Sequence, residues 1–400
     1  MKAYIVSLGC PKNLTDTEIL MTKLREEGYS FTNSPKQADL ILVNTCAFIK
    51  PAKDEAVATL KKLAKWKKKG KCKYLIAAGC LPQRYKKEMP EILPEVDAFI
   101  GTPRKFQLSK IKATFPWFAY VKIAEGCNNR CSYCTIPKIR GKLKIKKMRA
   151  IIDEVKFLAR NGVKEIIYIA EDTAVYRNLP ALLKKTAKVK GIRWIRLLYA
   201  HPAHITERLI DVIAREKKVV KYLDLPIQHA HDKILRRMSR RYKRQDLRDL
   251  IAKIRRRIPK VALRTSVIVG FPGEGEAEFS ELLNFIKEVK FDKLGVFTYW
   301  KEDGTPAAKM GGQVSEKKKT QRLNKIMRAQ SLISKGRNTK LIGRTLETII
   351  EGRNFGRSYM DAPEIDGKVF INKSKSLKPG EIVKVKITGA KTYDLIGHLT

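Results

Sequence analysis

Cys127, Cys131 and Cys134 stand at a C-x3-C-x2-C spacing within the stretch Glu125-Gly126-Cys127-Asn128-Asn129-Arg130-Cys131-Ser132-Tyr133-Cys134. Three thiolates on so short a loop can hold three corners of a cubane iron–sulfur cluster and leave the fourth iron without a protein ligand. An open iron is a place for chemistry. A structural zinc ion would instead close its shell with a fourth Cys or His nearby, and neither type occurs between Cys134 and His201. Three further thiols, Cys10, Cys46 and Cys80, each follow an apolar run: Tyr4 to Leu8, Asp39 to Val43 and Tyr74 to Ala78. Read as parallel strands, these runs put all three thiols at the carboxyl edge of one sheet, where such folds build their sites. A second trio would meet there, again one ligand short of a closed cluster. Cys72 precedes its strand, lies at the opposite edge, and is read as a structural thiol.

The elements that must position these residues follow from periodicity. Residues 1 to about 100 alternate strand-like and helical periods, which predicts an amino-terminal parallel α/β domain. Gly101, Pro103 and Pro116 mark a connection. Beyond it, strand candidates at Phe118 to Ile123, Glu165 to Ala170, Trp194 to Tyr199, Lys221 to Leu225, Ala262 to Val269 and Lys293 to Phe297 alternate with helical segments. Six such units make a partial (β/α)6, TIM-like barrel, which works at the carboxyl ends of its strands. The cysteine loop, Glu171, His201, His229, Gly270 and the Trp300 to Gly304 loop would then face one opening. A Lys-rich helix over about Ser315 to Ser334 follows, and the last sixty residues read as short strands with turns at Gly352, Asp366-Gly367 and Pro379-Gly380, predicting a small antiparallel β-barrel. The division expected is 1–114, 115–336 and 337–400.

Composition narrows the class further. The chain has 400 residues, 44% hydrophobic, with no run of about 18 apolar residues to span a membrane. Its start goes straight into a strand without a signal-peptide pattern, and seven cysteines without disulfide-framework spacing fit a reducing compartment, so a cytoplasmic protein is expected. The formal net charge is +44, from 84 basic against 40 acidic residues. Such a balance points to nucleic acid or a ribonucleoprotein surface, or to solvated Lys-rich faces without a partner. Arg236 to Arg244 is the densest basic run and the better candidate for a contact patch.

The cysteine loop, with the aromatic Tyr133 before its last Cys, resembles that of the radical S-adenosylmethionine (radical-SAM) enzymes. Both trios, with the terminal β module, resemble the methylthiotransferases along the whole chain. Ser7 to Asn13, Leu198 to Pro202, Tyr222 to His229 and Gly356 to Gly367 resemble the RimO branch of that family. The resemblance implies two 4Fe-4S clusters, held by Cys10, Cys46 and Cys80 and by Cys127, Cys131 and Cys134, with S-adenosylmethionine as co-substrate and source of a 5′-deoxyadenosyl radical. It implies cofactor contacts at Tyr133, Glu171, Ile268 and Gly270, and a TRAM-like terminal barrel. No catalytic residue beyond the cluster ligands is implied. The substrate implied is an aspartate β-carbon in small-subunit ribosomal protein twelve, free or in the small ribosomal subunit, with an electron donor protein and a sulfur donor as partners. A related branch acts on an adenosine of transfer RNA, the alternative substrate. Residues 340–400 carry a net +4 against +40 for the other 339; a module gripping RNA would reverse that balance. Asp361, Glu364 and Asp366 offer it an acidic edge for a basic protein, or else are salt-bridged turn residues. Glu171 departs from the Gln usual in the branch.

Overall fold

The computed structural model describes residues 1–103, 105–372 and 377–400. Val and Ile-rich runs too short for helices form the amino-terminal sheet. Its five parallel strands lie in the order Ser30–Phe31, Lys2–Ser7, Leu40–Thr45, Tyr74–Gly79, Ala98–Ile100. The central strand Leu40–Thr45 is buried along its whole length, as befits a parallel strand covered on both faces. The helices Pro11–Glu26 and Lys50–Ala64 follow the first and central strands. The two edge strands, only two and three residues long, were absent from the sequence expectation.

All six predicted barrel strands are present: Phe118–Lys122, Glu165–Ile169, Trp194–Leu197, Tyr222–Asp224, Ala262–Val269 and Lys293–Thr298. They form two parallel three-stranded sheets joined by a bridge between Ile195 and Val219. Alternation sorts their side chains. Ala119, Val121, Ile166 and Tyr168 pack outward on helices, among them Met148–Arg160, whose Ile151, Val155 and Leu158 recur at helical spacing. Phe118, Tyr120, Ile167, Ile169 and Tyr222 form a separate inner cluster. Each such fully buried side chain contributes about 1.5–3 kcal/mol.

The carboxy-terminal strands close into a barrel in the order Thr345–Ile350, Phe355–Ser358, Val369–Ile371, Leu395–Leu399, Ile382–Ala390. Its pairings are antiparallel except between Val369–Ile371 and Leu395–Leu399. This module seats on the central barrel: Ile349 and Ala362 join the inner cluster. The buried Arg357 donates to Glu165 at 2.5 Å, and Arg196 donates to the same carboxylate at 2.8 Å. Burial raises the Glu165 pKa, but the two guanidiniums outweigh it and hold the carboxyl below its ordinary value. Two of the three residues of the acidic edge read from sequence are turned inward, and Glu364 stays exposed. Asp361 pairs with Lys293 at 2.5 Å, and Asp366 accepts from Tyr222 at 2.7 Å and lies 3.6 Å from Arg264. These two carboxylates hold the module down and offer nothing to a partner. Among the described residues no helix is long and apolar enough to cross a membrane.

Candidate functional site

The first trio is built at the sheet edge by backbone geometry. Cys10 caps the helix Pro11–Glu26, Cys46 follows the central strand directly, and Cys80 opens the helix Cys80–Arg84. Gly9 has φ +90°, and a Cβ there would lie 2.7 Å from Cys46 Cβ and 3.0 Å from its Sγ. Only glycine lets those two loops approach so closely. One side chain then ties all three loops: Asn13 donates to Leu8 O at 2.7 Å and to Thr45 O at 3.0 Å, while its Oδ1 accepts from Cys80 Sγ at 3.8 Å. Burial raises the Cys46 thiol and pushes Cys80 up to about 12, and each thiol also feels Cys10. Cys72 is buried behind the sheet, its Sγ donating to Tyr74 O at 3.3 Å.

The second trio sits on the loop after the first barrel strand. Gly126, at φ +73°, has Lys142 O and Gly141 O at 2.5 and 2.6 Å from where a Cβ would stand, so the loop turns flush against its own return segment. Cys127 N donates to Gly141 O at 3.1 Å, and Ser132 Oγ to Arg237 O at 2.6 Å. Arg240 Nη1 donates to Cys131 Sγ at 3.5 Å. Burial raises Cys127 and pushes Cys134 up to about 12. Tyr133 meets Phe271 edge-on at 6.3 Å and shares an apolar cluster with Ile268. Gly270 N donates to Glu274 Oε1 at 2.9 Å, and the Lys319 side chain lies against its α-carbon.

Between the trios runs a buried polar seam that the sequence did not disclose. Arg140 Nη1 donates to Asp16 at 2.9 Å and to Glu125 at 2.6 Å; its Nη2 reaches Asn13 at 3.3 Å and Cys80 Sγ at 3.6 Å. Lys122 pairs with the same two carboxylates, at 2.5 and 2.6 Å. Thr135 Oγ1, one residue past Cys134, donates to Phe48 O, two residues past Cys46, at 3.2 Å. Lys12 lies 3.7 Å over the Tyr199 ring. Glu171 is buried 3.7 Å from Arg140 Nε, yet neither carboxylate oxygen has a hydrogen-bond partner. Burial raises its pKa, with Lys12 opposing.

The donor sets fit iron–sulfur groups better than single ions. Neither cysteine trio brings all three of its sulfurs within 4.8 Å of one another, whereas thiolates on one tetrahedral zinc would sit at about 3.8 Å. A cluster spreads its ligands over several irons and also supplies the positive charge that buried thiolates need. Asp172, His201 and His204 do lie that close together, but their atoms are already engaged. Asp172 Oδ2 meets His204 Nδ1 at 2.6 Å and accepts from Asn129 at 3.1 Å; His201 Nδ1 accepts from Ala203 N at 3.2 Å. Burial, and then Arg240, push His201 down to about 3. The group brackets the cysteine loop. His229 is buried against Glu274 at 3.2 Å and orients that loop instead of lining an opening.

Comparison with known proteins agrees with this three-part plan. Residues 2–101 match an uncharacterized family, UPF0004; residues 121–286 match the Radical SAM superfamily; residues 342–399 match the TRAM domain. Ribosomal protein uS12 methylthiotransferase RimO of Lachnoclostridium phytofermentans is 43% identical over 99% of both chains. Its namesakes in Geobacter sulfurreducens and Clostridium botulinum are 44% and 45% identical, covering 100% and 99% of this chain and 98% of each of theirs. The chain belongs to the RimO family of radical-SAM methylthiotransferases. RimO relatives thus span the length of all three parts. Among solved structures, the radical S-adenosylmethionine methyltransferase TsrM of Kitasatospora setae aligns with TM-score 0.56 at 12% identity, covering 74% of this chain and 72% of its own. That likeness concerns the fold.

Asn13 and Glu125 lay inside stretches already singled out, so adjacency to Cys10 and Cys127 was the available signal. Arg140 had none: nothing local distinguishes it among 84 basic residues.

Proposed function

We propose that this chain methylthiolates ribosomal protein uS12 in the cytoplasm, adding sulfur and a methyl group at an aspartate β-carbon. The single observation that carries the reading is the pairing of two cysteine trios across one buried seam, in a chain whose RimO relatives match it end to end. In this reading Cys10, Cys46 and Cys80 hold one 4Fe-4S cluster and Cys127, Cys131 and Cys134 the other, with the chain divided at 1–114, 115–336 and 337–400. The bound clusters and S-adenosylmethionine supply the one-electron cleavage, the sulfur and the methyl group. The protein's own residues do the rest. Glu171, whose two oxygens have no hydrogen-bond partner, would accept from the cofactor's ammonium group. Tyr133 and Ile268 form an apolar wall, and Gly270 turns the backbone beside it. Arg140 and Lys122 hold Asp16 and Glu125 in place, so the buried seam keeps water from the space between the trios. A sulfur donor and an electron donor complete the partners.

The transfer-RNA alternative draws no support from these relatives, each named for uS12. The deciding measurement is the intact mass of uS12 from a strain lacking this gene. Loss of one methylthio group from its mass, restored by the wild-type gene and not by a Cys131→Ala copy, is expected. An unchanged uS12 mass would overturn the reading.

A further inference from the structure

Beside the second trio, on the side of Cys131, an open cavity of about 380 Å³ is lined by Arg130, Arg236, Arg240, Arg241, His201 and His204, and no carboxylate lines it. Arg240 is buried, and each of its three nitrogens donates: to Tyr242 at 2.7 Å, to Pro226 O at 2.6 Å and to Cys131 Sγ at 3.5 Å. Arg130, Arg236 and Arg241 are exposed, and among the described residues their guanidiniums have no hydrogen-bond or ion-pair partner. Basic residues of the neighbouring helices are neutralised at home: Arg244 pairs with Glu281, Arg248 with Glu288, Lys233 with Glu278. Three free charges around an opening whose inner wall touches a cysteine sulfur form a surface for a partner of opposite sign. The seam side of the same trio is covered by the amino-terminal domain through Arg140 and Thr135.

We propose that this face docks an acidic one-electron carrier protein, which passes its electron to the group held by Cys127, Cys131 and Cys134. The proposal rests on the assignment of those three cysteines to a redox cluster. One electron leaves the carrier's reduced flavin or iron–sulfur group and enters the cluster, and no bond forms or breaks. A protein is favoured over RNA because Arg240, a residue of the cavity wall, itself donates to Cys131 Sγ, so a carrier seated on the three free arginines is one side chain away from that sulfur, which serves electron delivery and does nothing for phosphate contact. Charge of this kind sets approach and orientation more than final affinity.

Calorimetric titration of the iron-loaded chain with oxidised flavodoxin, and separately with oxidised ferredoxin, tests this. At low salt at least one carrier binds the wild type, and R236E/R241E binds it roughly tenfold more weakly. The control K156E/K188E, with the same change in net charge on the outer helices, stays within about twofold. High salt erases the difference. Whichever carrier binds identifies the class. Absence of binding by both, equal weakening in both variants, or an R236E/R241E variant that keeps its carriers but loses the small ribosomal subunit overturns the proposal. Iron analysis of a C10A/C46A/C80A chain keeps the two readings apart: no iron on it refutes the cluster assignment, whatever the titration shows.

Discussion

Asn13 satisfies two backbone carbonyls and a thiol from three different loops. Asn13→Ala leaves Leu8 O and Thr45 O without that donor, at a cost of about 2–4 kcal/mol measurable by urea unfolding. Because the loops it ties carry Cys10, Cys46 and Cys80, iron after reconstitution should fall from about eight to about four per chain. Glu18 gives a prediction in pH. Burial raises its carboxyl from 4.5 to about 7, although Ala113 N donates to it. The folded form therefore keeps its proton where the unfolded form has lost it. Stability declines as pH rises from about 4.5 to about 7, by on the order of 2–3 kcal/mol. Glu18→Gln keeps the acceptor and removes the charge, so denaturant midpoints at pH 5 and pH 7.5 should draw together; an undiminished gap would refute this. At this scale the positions of the six cysteines were legible, since each stands at a recognisable strand end or in one tight loop. The sequence left Asp361 and Asp366 open between an acidic edge and salt-bridged turn residues, and the second holds; the choice was not legible because their partners come from elsewhere: Lys293 stands 68 residues upstream of Asp361.

The five-residue helix Ile136–Arg140 joins the cysteine loop to the seam, and its last residue is the reason it matters. Arg140→Met leaves Asp16, Glu125 and Glu171 to share Lys122 and Lys12. Stranding buried carboxylates in this way costs about 3–5 kcal/mol. The loss should show as faster hydrogen exchange across Pro11–Glu26 and Phe118–Lys122, the elements whose Asp16 and Lys122 meet in the seam. Strands with long Ile and Val runs were legible within about two residues, as expected of period-two burial. Ser30–Phe31 and Ala98–Ile100 were not, because two or three residues carry no period, and their pairing with Lys2–Ser7 and Tyr74–Gly79 is decided by tertiary contact.

Across the whole molecule, three modules are fastened by buried ion pairs over apolar surfaces. Glu165, in the second barrel strand, holds both Arg196 from its own barrel and Arg357 from the terminal one. Arg357→Met should cost about 3–5 kcal/mol and split one calorimetric transition into two as the terminal barrel melts first; a single transition at the wild-type temperature would count against this. The three-part fold class was legible in changes of period along the chain, while the docking of the parts was not, since it depends on charges whose partners only the fold brings together. Arg140 also links the first trio to Glu171, the residue assigned to the cofactor beside the second: one guanidinium touches Cys80 at 3.6 Å and lies 3.7 Å from Glu171. Metal loading is then a linked equilibrium. Filling either nest redistributes that charge and alters affinity at the other, by the same factor whichever fills first. Stepwise iron affinities of chains keeping one nest should fail to multiply to the wild-type value, and an Arg140→Met background should restore independence.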